Sequence, residues 1–302
     1  MATTDKLING WLLLNEDAPH GTNYNDTKSC YQALIKNNVY QATDILFLCF
    51  ATTTPTNADT MPKGNGSFYT VRMADGGHTG GYSNEDYLHF IIRDARKNNP
   101  DIKIGITLEW NNPLVLSNIF ANKKYSDQEN ADQFAGNLTA FLVNNHLDGF
   151  DIDWESPICN TITAKQFKFL FTTIRAHFDK VKDRHLYLTL SPAESGHLDA
   201  RTVNENIDFI NLQLYHNPHL KQEFIEKGIH ENLLAYGAKF ESISADDHVP
   251  YQNAIDAYSA IKSGDYNIIT QWRLNSGNFC FEQSQQLKLY RLIKSYEYAE
   301  AE

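Results

Sequence analysis

Short runs of apolar, β-branched and aromatic residues, each too brief for a helix, recur along the chain and alternate with longer amphipathic stretches. Alternating strands and helices produce that rhythm. Eight runs predict strands: Leu7 to Leu14, Asp44 to Ala51, Lys103 to Trp110, Leu147 to Glu155, Leu186 to Ser191, Phe209 to Tyr215, Asn232 to Gly237 and Tyr266 to Trp272. Between them, Ala131 to Asn145 and Ala164 to Lys182 carry apolar residues at helical spacing, as in Phe134, Leu138, Phe141 and Leu142, or Phe167, Leu170, Phe171 and Ile174. Helices with one buried face are expected there. Eight strands with intervening helices close into a (β/α)8 barrel of the α/β class. An open doubly wound sheet shares the alternation, but no Gly-rich phosphate loop follows the first strand, so the barrel is the expectation.

A chain of 302 residues suits one such barrel, because these folds commonly run to about 250 residues or more as a single domain. No repeat, low-complexity tract or Pro/Gly linker divides it, so residues 1–302 are expected to form one domain. The segment Thr52 to Tyr82, rich in Thr, Asn and Gly, predicts one long loop after the second strand. Too few residues separate the last two strands for a large insertion domain. A net charge of -11 argues against binding DNA or RNA, which rests on clustered Lys and Arg. No apolar stretch reaches bilayer length, so no membrane partner is expected, and the protein is expected to be a monomer.

Cys30, Cys49, Cys159 and Cys280 show no paired spacing and predict reduced thiols rather than zinc ligands or disulfides. His216 and His219 flank Pro218 without a third ligand and read as surface histidines, so neither metal nor cofactor is expected. The opening residues make a poor signal peptide, Leu7 onward reading better as a strand. The compartment stays open, since a lost leader would leave the same sequence. The sequons at Asn25, Asn65 and Asn137 carry little weight outside a secretory route.

The fourth predicted strand holds the candidate chemistry. In Leu147-Asp148-Gly149-Phe150-Asp151-Ile152-Asp153-Trp154-Glu155, the acids Asp151, Asp153 and Glu155 alternate with apolar residues and so share one face. Successive same-face positions lie about 6–7 Å apart, and like charges crowded at a buried strand end raise at least one pKa. Glu155 is thereby a candidate for an acid that keeps its proton. Taken alone, three alternating acids equally suit a solvated strand end or a divalent-cation site. Trp154 points the other way, toward the helix layer.

Asp148, Asp151, Asp153 and Glu155 complete the pattern D-x-x-D-x-D-x-E on this strand, and here the chain resembles glycoside hydrolase family 18. That family comprises chitinases and endo-β-N-acetylglucosaminidases on a (β/α)8 barrel. The resemblance implies that Glu155 donates a proton to the glycosidic oxygen, Asp153 orients the substrate acetamido group and Asp151 supports Asp153, with Asp148 structural. Carboxylates on one face of one strand cannot flank a sugar from both sides, so the nucleophile must come from elsewhere. In the substrate-assisted route it is the N-acetyl carbonyl oxygen.

Further matches extend the resemblance. Gln213 and Tyr215 share a face of the sixth predicted strand, similar to a Q-x-Y pattern of plant-type members in which the Tyr bonds the acetamido oxygen. Trp272, closing the eighth, resembles the Trp that floors the reacting sugar. Trp11 and Trp110 are further candidates for the sugar site, with a core position the alternative for each. Glu194, after the fifth strand, has no assigned role. The third strand departs: where the family has S-x-G-G, the chain reads Thr107-Leu108-Glu109-Trp110. Glu109 and Trp110 are therefore expected to narrow the cleft or add a fourth acid. The functional expectation is a retaining endo-glycosidase acting on β-1,4 bonds of N-acetylglucosamine-containing glycans, chitin or chito-oligosaccharides foremost. A chitinase-like binding protein without turnover and an endo-β-N-acetylglucosaminidase of N-glycans are the alternatives; a metal-dependent barrel hydrolase is a third.

Overall fold

The structure, a computed structural model, describes residues 6–56, 67–217, 219–242 and 248–300. Asn65 and Pro218, named above, lie outside the described residues. The strands are β1 (Leu7–Leu13), β2 (Ile45–Pro55), β3 (Tyr69–Met73), β4 (Lys103–Leu108), β5 (Gly149–Ile152), β6 (Tyr187–Leu190), β7 (Phe209–Gln213), β8 (Leu234–Lys239) and β9 (Ile268–Trp272). The helices are α1 (Cys30–Lys36), α2 (Asn84–Asn98), α3 (Asp127–Asn144), α4 (Ala164–Phe178), α5 (Ala200–Asn206), α6 (Leu220–Glu226), α7 (Val249–Ser263) and α8 (Phe279–Glu300).

All eight predicted strands are present and pair in parallel in the order β1-β9-β8-β7-β6-β5-β4-β2, and β2 returns to β1 to close the barrel. The predicted loop over 52–82 is corrected in part: β2 runs on to Pro55, and β3 pairs with that extension antiparallel, Thr53 facing Val71. The hairpin rides above the barrel rim, held by Asn137 Nδ2 of α3 on the Tyr69 carbonyl at 3.0 Å. Between β8 and β9 the described residues hold one helix, α7, and no large insertion domain.

Strand alternation sorts side chains into two cores. Ile45, Phe47 and Cys49 of β2 point into the barrel with Trp11, Phe209, Ala235 and Ile268, while Leu46 and Leu48 join the layer beneath the helices. Gly105 stands where a Cβ would lie 3.0 Å from the Phe47 ring that fills the barrel. Capping boxes start α2 (Ser83 with Asp86), α3 (Ser126 with Glu129) and α4 (Thr163 with Gln166), each satisfying backbone donors at the helix start.

At the N-terminal ends of three strands an aspartate pins the neighbouring strand. Asp44 accepts from the Ile8 backbone N–H at 2.8 Å, Asp148 from Ile104 at 3.0 Å and Asp208 from Leu188 at 2.7 Å. Asp148 also takes Arg96 of α2 at 3.0 Å, so its carboxylate faces away from the strand ends where the cavity opens. Trp154 is fully buried and packs edge-on against Phe167 of α4, 5.2 Å between centroids.

Candidate active site

A cavity of about 370 Å³ opens at the C-terminal ends of the barrel strands. Asp153 and Glu155 stand on its β5 side, Gln213 at the end of β7 with Tyr215 just after it, and Trp11 and Trp272 on the adjoining β1 and β9. Trp110 reaches the cavity from the end of β4 and is 38% exposed. Glu109 is not among the lining residues; its carboxylate accepts from Asn112 Nδ2 at 3.2 Å. The main chain leaves the barrel after Leu108, which turns successive residues to different surroundings. His216, expected on the surface, is exposed and lines the cavity mouth.

The three acids of β5 are held mainly by neutral donors. Asp151 is fully buried inside the barrel and accepts from Thr189 Oγ1 at 2.6 Å and from Ser191 Oγ, 2.9 Å from each carboxylate oxygen. Burial nevertheless pushes it up to about 6, against the opposing pull of those bonds. Asp153 goes further: burial first, then the Glu155 and Asp151 charges, raise it well above the ordinary carboxylate range, and it shares a hydrogen bond with Glu155. Asp153 therefore holds a proton more readily than an exposed carboxylate would.

Gln213 joins the acids across the barrel. Its Nε2 donates to Asp153 Oδ1 at 3.0 Å, to Glu155 Oε1 at 2.5 Å and to the Ser191 carbonyl at 3.0 Å. The Tyr215 hydroxyl lines the same space without a hydrogen bond to another described residue. Burial, then the Asp153 and Glu155 charges, hold its pKa well above the usual value, so it remains a donor. Beneath the acids a buried polar chain crosses the barrel: Asn9 donates to Thr270, Thr270 to Asn211, and Asn211 to the Ser191 that serves Asp151.

The opposite wall is aromatic. Trp272 meets Trp11 and Phe50, each at 6.0 Å between centroids. Trp11 donates its indole N–H to Thr107 Oγ1 at 3.1 Å, and so links the aromatic wall to a further hydroxyl that meets Asp151. Lys239, the strand partner of Trp272, lines the cavity as well.

Sequence reasoning missed several of these groups. Thr189 and Ser191 alternate on β6 as Asp151 and Asp153 do along β5, a signal that was available. Phe50 lies within β2 and Lys239 closes β8, and neither position gave one. Among the described residues no group of three or more His, Cys, Asp or Glu side chains is placed to hold a metal ion.

Residues 22–269 match the sequence profile of Glycosyl hydrolases family 18. The chain belongs to that family. The family 18 barrel is 25% identical over 149 residues to chitotriosidase-1 of Mus musculus, a match covering 44% of the chain and 30% of that protein. The chain spans under a third of the length of the curated relatives it matches. Among solved structures it resembles the chitinase-like agglutinin of Robinia pseudoacacia, with a TM-score of 0.65 and 12% identity over 93% of this chain and 99% of that one. It also resembles the family 18 chitinase of Cycas revoluta in complex with (GlcNAc)3, with a TM-score of 0.62 and 13% identity over 96% and 99%. At these identities the likeness is one of fold, shared by a chitinase and by an agglutinin alike.

Proposed function

We propose that this family 18 barrel is a retaining glycosidase that cleaves β-1,4 bonds next to N-acetylglucosamine, with chitin or chito-oligosaccharides as substrate. The observation that carries the reading is the shared pocket of Asp153, Glu155, Gln213 and Tyr215 facing Trp272. A pyranose lying on Trp272 would have its glycosidic oxygen in reach of Glu155 and its acetamido group in reach of Asp153 and Tyr215.

In the first step Glu155 transfers its proton to the departing glycosidic oxygen while the acetamido carbonyl oxygen bonds to the anomeric carbon. The C–O bond to the leaving sugar breaks and a cyclic oxazolinium forms. Asp153 accepts a hydrogen bond from the acetamido N–H and balances the developing positive charge, and Tyr215 donates to the attacking oxygen. Glu155, now a carboxylate, takes a proton from water, whose oxygen opens the ring with net retention. Asp151, fixed by Thr189 and Ser191, supports Asp153 from below. Trp11 and Trp110 extend the apolar surface for the sugar. No metal or cofactor is part of this scheme, and the protein is taken to act as a monomer in one domain.

The test compares wild type with Glu155→Gln on fluorogenic chito-oligosaccharides and on an N-linked glycoprotein. The variant keeps shape and hydrogen bonding but cannot release a proton, and kcat should fall by about 10³-fold. Cleavage of the glycoprotein alone would move the substrate to N-glycans. Binding of sugar by both proteins without cleavage by either would make the chain a carbohydrate-binding protein, and a rate abolished by a chelator would revive metal-dependent hydrolysis.

A further inference from the structure

The aromatic wall has a charged mount that the reaction scheme does not use. The Trp272 indole N–H donates to Glu241 Oε2 at 2.8 Å, and the other oxygen of Glu241 accepts from Arg273 at 2.8 Å. Arg273 is buried, lies 5.9 Å from the Trp272 ring centre, and pairs through its second amino group with Glu16 in the loop after β1. Glu241 follows β8, Trp272 and Arg273 close β9, and Glu16 follows β1, so the trio ties three adjacent strand ends to one ring.

The ring contacts with Trp11 and Phe50 limit how far Trp272 can shift, but neither is directional. The indole N–H is the only polar handle on the side chain, and a bond from it to a carboxylate is stronger and more sharply oriented than one to a neutral acceptor. We propose that Glu241 is a positioning residue, which through the indole N–H sets the plane of Trp272 on which the sugar rests. The inference rests on the proposed reading of Trp272 as the sugar platform. It also explains why a buried guanidinium stands next to the platform: without Arg273 the Glu241 carboxylate would have no fixed place. Glu241→Gln leaves the Arg273–Glu16 pair balanced and replaces one of the two acceptor oxygens and the charge by an NH2 group, so the substitution weakens the mount without leaving a buried charge alone.

The experiment is a double-mutant cycle on chito-oligosaccharide hydrolysis with wild type, Glu241→Gln, Trp272→Phe and the double variant, with kcat and KM measured separately. Trp272→Phe keeps an aromatic face and deletes the N–H. Glu241→Gln should raise KM about tenfold with kcat changed less than about threefold, and in the Trp272→Phe background it should change KM less than about twofold. An equal effect in both backgrounds, or none in either, overturns the proposal. If wild type neither cleaves nor binds the oligosaccharide, the reading of the site fails, and near-UV circular dichroism still decides on Glu241: its substitution must alter the signal that Trp272→Phe removes. An unaltered signal overturns the proposal. Should Glu241→Gln not fold, Glu241→Asp keeps the charge for Arg273, stops one methylene short of the indole, and carries the same test.

Discussion

The two walls of the cavity shift their carboxylates in opposite directions. On the β5 wall Asp151 and Asp153 are met by hydroxyls and an amide, and burial pushes both upward, Asp151 to about 6. On the β8–β9 wall burial also pushes Glu241 upward, yet the Arg273 guanidinium and the bonds from Arg273 and Trp272 outweigh it and hold the group below its ordinary value. Burial acts in the same sense on both sides. What separates a wall whose carboxylates are pushed up from one whose carboxylate is held down is whether a cation stands in the shell. Acid chemistry suits the first wall, and a fixed mount for an aromatic platform suits the second.

Removing the cation should break the contrast most severely. Arg273→Met leaves Glu16 and Glu241 facing each other, and loss of one partner from a buried ion cluster typically costs about 3–5 kcal/mol. In wild type the lowered pKa of Glu241 contributes stability above its unfolded value that is lost as pH falls through the folded one. The variant lacks that contribution, so the gap between the two proteins should be widest near neutrality and shrink toward pH 4. Urea titrations at both pH values would measure it, and a gap independent of pH would mean that Arg273 does not set the charge state of this wall.

Asp153→Asn sharpens the comparison from the other side. The amide keeps the acceptor from Gln213 and removes the proton shared with Glu155, so folding should survive while kcat falls about 10²-fold. On the same reasoning wild-type activity should decline on the alkaline side, as the hydrogen-bonded Asp153–Glu155 pair loses the proton that the raised pKa of Asp153 helps it retain. A kcat for Asp153→Asn within about threefold of wild type would show that this carboxylate takes no part in the step.

Legibility in the sequence followed the same divide. Asp151, Asp153 and Glu155 were readable because strand periodicity alone gathers them on one face, and the barrel was readable because each strand carries its own apolar signal. The mount was not: Glu241 and Trp272 are 31 residues apart in sequence, and only barrel closure makes them neighbours. The β2–β3 hairpin was missed because β3 is only five residues long and its partner stretch Thr52-Thr53-Thr54 is polar, although Tyr69, Val71 and Met73 alternate and are buried in the core. Glu109 was drawn into the site by assuming that the third barrel strand continued to Trp110. It ends at Leu108, and the alternation that would have turned Glu109 toward the acids ends with it.

The smallest expected effect concerns stability on the β5 wall. With a folded pKa near 6 against an ordinary 3.8, Asp151 binds more protons in the folded chain than in the unfolded one between about pH 4 and 6. Its contribution to stability therefore falls as pH rises through that window and stays at the lower level above it. Asp151→Asn cannot ionise and can still accept from Thr189 and Ser191, so relative to wild type it should gain about 1–3 kcal/mol between pH 4 and pH 7. Comparing the two pH values cancels any fixed cost of the substitution itself, such as a turned hydroxyl or a lengthened bond. An equal difference between variant and wild type at both pH values would mean that the hydroxyls keep Asp151 ionised despite its burial, and the two walls would then differ in their partners but not in their protons.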